Sequence, residues 1–182
     1  KLIGEPDEHS RQKLPADRLA IGTIGEDGKA RFFDMKTLLA KLPDSGNGSP
    51  LVLSAAETSL HPELPAIVGA IASKNYEVWL ETTALAMTDI RRVKLLAGWG
   101  LHGIIWIHFN KENPVYYKIL GSKLNPSLES RISRTLRESR LPVEHHFLLV
   151  NETAEALVER MKPWMDDGPE PLITIRPYSD SA

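Results

Sequence analysis

The stretch Pro50–Thr83, "PLVLSAAETSLHPELPAIVGAIASKNYEVWLETT", decides the fold. Its ends, "PLVLSA" and "YEVWLETT", are short, apolar and rich in β-branched residues, as strands covered on both faces are. Between them "PELPAIVGAIASK" reads as a helix. Pro62 and Pro65 suit its first turn, where a missing N–H removes no bond. Strand, helix and strand in that order make a βαβ unit with parallel strands and a right-handed crossover.

The alternation runs outward in both directions. Upstream, "RLAIGTI" reads as a strand and "MKTLLAKL" as a helix. Downstream, a helix through "MTDIRRVKLLAGWG" takes Thr88 or Asp89 as its N-cap and Gly98 or Gly100 as its stop. "HGIIWIHF" is a fourth strand, followed by helical pieces at "PVYYKIL" and "LESRISRTLRESR". "EHHFLLV", "ETAEALVERMKPWM" and "PLITIRP" supply strand five, the fifth main helix and strand six. Six βα units are too few for a closed eight-stranded barrel; they suit an open partial barrel or a doubly wound sheet. "PDSGNGSP" (Pro43–Pro50) is a loop inside one domain, because the pattern continues across it. Residues 1–17 read as an N-terminal arm and 18–182 as a single domain.

Composition narrows the function. The net charge of −2 carries no basic footprint for nucleic acid. No apolar run reaches the roughly 18 residues of a membrane span. No signal peptide is visible, which makes the cytoplasm the default location. The chain contains no cysteine, so it can form no disulfide, thiolate nucleophile or cysteine-held metal or cluster.

Parallel α/β folds place ligands at the carboxyl ends of their strands. That rule selects Glu26, Asp27 and Lys29 after strand one, and Ser54, Glu57, Thr58 and His61 after strand two. It also selects Glu81, Thr82 and Thr83, then His108 and Asn110, then Asn151 and Glu152, and finally Arg176 and Tyr178. Polar residues at these turns also cap the next helix in any protein of this class. Glu57 and His108 stand out because each lies at or just beyond the end of an apolar strand.

At strand two a specific pattern emerges. "LSAAETSLHPELPAIV" resembles the L-S-G-G-E-P-T-L-H-P-E-L segment of radical S-adenosylmethionine enzymes, with Ala55-Ala56-Glu57 in place of Gly-Gly-Glu. "LETTALAM" resembles that family's L-E-T-N-G-L-A-L, with Thr82-Thr83-Ala84 for Thr-Asn-Gly. "WIHFN" stands where a fourth strand ends in S-L-D, with His108 and Asn110 at the polar positions, and "YYKILG" ends in the family's glycine, Gly121. The pieces follow without large gaps from about Arg18 to Pro177. The resemblance implies a partial (β/α)6 barrel, of TIM-like architecture with outer helices, and an S-adenosylmethionine site bounded by Ala55, Ala56 and Glu57.

The family places C-x-x-x-C-x-x-C directly after strand one, where three thiolates hold a four-iron cluster. On "GEDGKARFFD" that spacing falls on Glu26, Ala30 and Phe33. A carboxylate, a methyl group and a phenyl ring cannot replace thiolates on iron. Without the cluster no electron reaches the sulfonium, and radical catalysis is excluded on this alignment. The helical pattern after Met35 leaves no antiparallel return strand, so "IGEDGKARFFDM" reads as a former cluster loop and not as a hairpin; it also lacks the glycine spacing of a phosphate loop. Ala55, Ala56 and Ala84 add Cβ atoms where the family has glycine.

Three functions follow. The first is a non-catalytic radical S-adenosylmethionine-like protein that docks on a protein partner, such as a homologous enzyme in a heterodimer or a second copy, or presents a peptide or small molecule. Phe32, Phe33, Trp79, Trp99 and Trp106 would supply apolar area, although aromatics in such folds are mostly core. The second is non-radical chemistry from Glu57, His61 and His108, or a metal held by them with Glu26; no local metal motif supports it. The third is residual binding of S-adenosylmethionine or a nucleotide, which Glu57 favours and the two alanines oppose. The first predicts no iron–sulfur cluster, no metal and no cofactor, with Asn151 and Arg176 completing a ligand rim. His145-His146 reads as a pair at the far barrel end with one ring in solvent. Trp164 and Met165 read as a cover for the barrel bottom, and Arg131, Arg134 and Arg137 as a stripe on a solvated helix.

Overall fold

The computed structural model describes residues 17–25, 30–55, 57–109, 126–149, 152–165 and 173–177. In chain order the elements are β1 (Asp17–Ala20), β2 (Gly22–Ile24), β3 (Ala30–Phe32), α1 (Met35–Leu39), β4 (Ser49–Ser54), α2 (Leu64–Ala72) and β5 (Tyr76–Thr82). There follow α3 (Ile90–Gly98), β6 (Leu101–His108), α4 (Pro126–Ser139), β7 (Val143–Leu149), α5 (Ala154–Met165) and β8 (Ile173–Pro177). A 3-10 turn, Thr58–Leu60, leads from β4 towards α2.

β1, β4, β5, β6, β7 and β8 form one parallel sheet in that order. Each strand lies beside the one that precedes it in this series, so there is no reversal of strand order and the sheet is singly wound. That removes the doubly wound alternative. Side chains alternate between faces, and every described helix contributes its buried residues to one of them. Leu38 (α1), Ile67 (α2), Val93 (α3), Ile132 (α4) and Leu157 (α5) join Leu19, Leu53, Leu80, Ile104 and Phe147 of the sheet in one core. Val52, Trp79, Ile105 and Ile107 form a second cluster on the other face, packed with Phe109 and Leu148. Gly103 makes room for it, since a Cβ there would fall 2.4 Å from the Trp79 ring.

That second face is concave. Arg18 on β1 and Arg176 on β8, the two edge strands, reach the same oxygen of Glu81 on β5, at 2.6 and 3.1 Å. In a flat sheet with strands about 4.8 Å apart, the edges would be roughly 24 Å from each other. Only a curled sheet brings both arginines to one atom. The winding and the curl are compatible with a partial barrel.

The expected first strand is in fact two. Ile21 donates its N–H to Ser54 of β4 and accepts from the Phe33 N–H through its carbonyl. The chain changes partner there, and Gly22–Ile24 pairs antiparallel with Ala30–Phe32. The stretch read as a former cluster loop is therefore a β-hairpin, with residues 26–29 outside the described residues. The return strand precedes Met35, so the helical pattern never excluded it. Gly22 permits the close approach, because a Cβ there would lie 2.8 Å from the Arg31 carbonyl oxygen. Asp17 is the first residue of β1, and residues 1–16, the rest of the stretch read as the arm, lie outside the described residues.

Helix ends follow local chemistry. Asp34 caps α1 and Asp89 caps α3, each through its carboxylate. α3 ends at Gly98, and Gly100 takes φ +103°, a conformation natural to glycine. α5 continues through Pro163 to Met165. No helix among the described residues is long and apolar enough to cross a membrane.

Candidate functional site

The turn after β4 and the end of β5 are built around the Glu57 carboxylate. Glu57 is 4% exposed and caps the 3-10 turn, with Oε1 accepting from the Ser59 N–H at 2.9 Å and from the Thr82 hydroxyl. Oε2 accepts from the Thr83 N–H at 2.9 Å and from the Thr83 hydroxyl. A carboxylate offers about four acceptor positions, and four donors of this chain fill them. Thr58 donates its hydroxyl to the Glu81 carbonyl, which ties the turn to β5 a second time. Glu57, Thr82 and Thr83, selected as separate rim residues, thus form a single closed knot.

Ala84 closes the same knot and has φ +64°. Its N–H donates to the Thr82 Oγ1 at 2.8 Å, and its carbonyl accepts from Met87. An L-residue there is strained, and the resemblance puts glycine at this position. Ala55 packs against the main core; Ala56 lies outside the described residues.

His61 has both ring nitrogens engaged. Nδ1 accepts from the Glu63 N–H at 3.1 Å, so Nε2 carries the proton and donates to the Phe33 carbonyl at 3.1 Å. Its ring also meets that of Phe32, with centroids 4.8 Å apart. His61 therefore anchors the hairpin to the Glu57 turn. Phe33 packs partly against the core, with Lys41 Nζ 5.0 Å from its ring centre. Ala30 is an exposed β3 residue. Glu26, Asn110 and Asn151 lie outside the described residues.

His108 belongs to a different part of the molecule. It lies on the helix-covered face, where Nε2 is 2.9 Å from His145 Nδ1 and Nδ1 is 3.9 Å from Glu129. Its ring stacks on Phe147 at 4.6 Å and meets Trp164 at 4.9 Å. His108 and Trp164 of this cluster line a groove of about 930 Å³ between α4 and α5, walled in part by Arg134, Arg137 and Arg160. Arg160 is tied to Glu152 and to the carbonyls of His108 and Leu148. Glu57, His61 and His108 do not converge, and no group of three metal-binding side chains occurs among the described residues.

His145 and His146 are both buried in β7. Alternation sends them to opposite faces, both rings are buried, and the pair lies in the middle of the strand and not at a barrel end. Trp164 packs against His108, His145 and Trp106 and does not cover the barrel bottom, while Met165 is exposed. Trp79 and Trp106 are core residues, and Trp99 is 50% exposed.

The concave face groups residues that the sequence reading kept apart. Glu81 takes Arg18 and Arg176, and Glu144 lies 3.2 Å from His146 Nε2. Of these groups Glu81 and Arg176 were selected at strand ends, whereas Arg18, Glu144 and His146 were not expected at a ligand site. Alternation within each strand could have grouped Glu81, Glu144 and His146, but only the curl brings Arg18 and Arg176 together. Comparison of the chain with protein-family models and with curated proteins gave no match.

Proposed function

We propose that the chain is a degenerate radical S-adenosylmethionine-like partial barrel that makes no radical and acts by binding a protein partner, a homologous enzyme in the first instance. One observation carries the reading: the glutamate that the resemblance assigns to the cofactor's amino group, Glu57, has all four acceptor positions filled from within. A methionine amine would have to displace donors from a buried carboxylate. The left-handed φ of Ala84 supports the ancestry, since a conformation suited to glycine persists where glycine is gone. The cysteine-free hairpin, held by His61, replaces a cluster loop.

Partner contact would use apolar surface that remains in water. Leu60, Leu95 and Trp99 are each half exposed. Arg92 links the turn to α3 by donating to the Ser59 carbonyl at 2.6 Å. Leu95 and Trp99 lie one helical turn apart at the end of α3, and exposed apolar side chains that join into a patch mark interaction sites.

Anaerobic reconstitution with iron and sulfide, followed by calorimetric titration of S-adenosylmethionine, tests the reading. The expected result is no bound cluster and no affinity tighter than about 100 μM, equivalent to roughly 5.5 kcal/mol. Tighter binding would overturn it and favour the residual-cofactor alternative. Co-expression with a homologous, cysteine-bearing enzyme should give a stable heterodimer that Trp99→Ser weakens; a chain that stays monomeric beside such enzymes counts against the partner role.

A further inference from the structure

The concave face carries a charge arrangement that the partner reading does not use. Arg18 and Arg176 approach Glu81 Oε2 from opposite edges of the sheet, at 2.6 and 3.1 Å. Their Nη1 atoms are therefore at most 5.7 Å apart, the sum of those distances. Glu81 balances one of the two guanidiniums, and Glu144, in register with it across Ile105, is engaged by His146. Each guanidinium has five N–H donors in a planar fork suited to oxyanions. The Arg18 and Arg176 side chains are 39% and 26% exposed, so the node is open to solutes. Glu81 and Arg176 lie near the carboxyl ends of β5 and β8, the end where parallel α/β folds place ligands.

A second observation on the same face is independent of the first. His146 is fully buried, and its Nε2 lies 3.2 Å from Glu144. A carboxylate only accepts, so Nε2 carries a proton, and on a neutral ring Nδ1 is then a bare acceptor. That Nδ1 is buried and has no hydrogen-bond partner. A buried polar atom in this state is destabilising unless something donates to it. His146 is in register with Thr174 of β8, and Arg176 is the next residue of β8 on that face. Ile107 and Leu148 provide apolar surface beside them.

We propose that the concave face is a binding site for a small oxyanion, a carboxylate or phosphate group, on a molecule that also carries a hydroxyl. The oxyanion bridges Arg18 and Arg176 in exchange with Glu81, which holds the two forks in place when the site is empty. The second group donates to His146 Nδ1, and any apolar part lies on Ile107 and Leu148. No step involves S-adenosylmethionine, so this site stands or falls apart from the cofactor reading.

The test is titration of the intact chain with inorganic phosphate, acetate and glycolate, read by thermal shift and by amide NMR shifts, with chloride at matched ionic strength as control. Phosphate and glycolate should bind, and glycolate more tightly than acetate because only it offers a hydroxyl. Arg176→Gln should weaken binding at least about tenfold, or roughly 1.4 kcal/mol. Glu81→Gln removes the internal competitor and should tighten binding severalfold; this variant keeps the test valid if the arginine variant folds poorly. No response beyond chloride, an unchanged response in Arg176→Gln, or weaker binding in Glu81→Gln would each overturn the proposal.

Discussion

Glu57 and Glu81 stand at the carboxyl ends of neighbouring strands, yet they are opposite kinds of carboxylate. Glu57 is buried and receives four hydrogen bonds, two from backbone N–H groups and two from threonine hydroxyls. Glu81 is partly exposed and shared by two arginines whose other donors remain open. The first is a closed structural knot on the helix-covered side of the turn, and the second is a node from which a solute can displace the carboxylate. Position at a strand end did not decide between them. The donors did: neutral local groups filled Glu57, while charged groups from distant strands left Glu81 exchangeable.

The sharpest way to break that contrast is to remove each carboxylate. Glu57→Ala leaves two backbone N–H groups and two hydroxyls without acceptors in the interior. It should cost about 3 kcal/mol and lower the melting temperature by roughly 10 °C. Glu81→Gln should cost less than about 1 kcal/mol, because partly exposed ion pairs contribute little. Paired thermal unfolding curves measure both. Equal losses would show that the Glu81 node is as structural as the Glu57 knot.

Much of the fold could be read from alternation alone. "PLVLSA", "YEVWLETT" and "HGIIWIHF" became β4, β5 and β6 because their apolar, β-branched runs are long enough to report a covered strand. "RLAIGTI" misled because its apolar pattern is continuous while its hydrogen bonding is not. The change of partner at Ile21 is a property of β4 and β3, not of the stretch itself. The three-residue β3 has no alternation to announce it. The site shows the same division. Glu57, Thr82 and Thr83 were each visible at strand ends, but their mutual bonds were not. Arg18 and Arg176 meet only through the curl of the sheet, which no local pattern encodes. His145 and His146 were misplaced although period-two alternation, applied to β7, separates them.

The Glu57 knot also contains a strain that can be relieved. Ala84 holds φ +64° because its N–H is fixed to Thr82 Oγ1 and its carbonyl to Met87. Left-handed backbone costs an L-residue roughly 1–2 kcal/mol, and glycine returns part of this as unfolded-chain entropy. Ala84→Gly should therefore stabilise the chain by about 0.5 kcal/mol, seen as a higher urea midpoint. A loss would mean that the alanine methyl packs in the core by more than the backbone strain takes away.

Asp34 extends the comparison to a carboxylate at the surface. It caps α1, accepting from the Thr37 N–H at 2.9 Å and the Thr37 hydroxyl at 2.7 Å. The hydroxyl bond first, and the backbone bond second, hold its pKa below the ordinary aspartate value. Its contribution to stability is present above the unfolded-state pKa and is lost as pH falls through the lower folded-state value. Asp34→Ala should thus separate from wild type near neutral pH and converge with it in strong acid, with the smallest effect of the series because water can replace every bond it makes. Urea midpoints across the acid limb measure this. A difference that stays constant with pH would mean that the cap works through its acceptor geometry and not its charge, which would leave donor count, and not ionisation, as what separates Glu57 from Glu81.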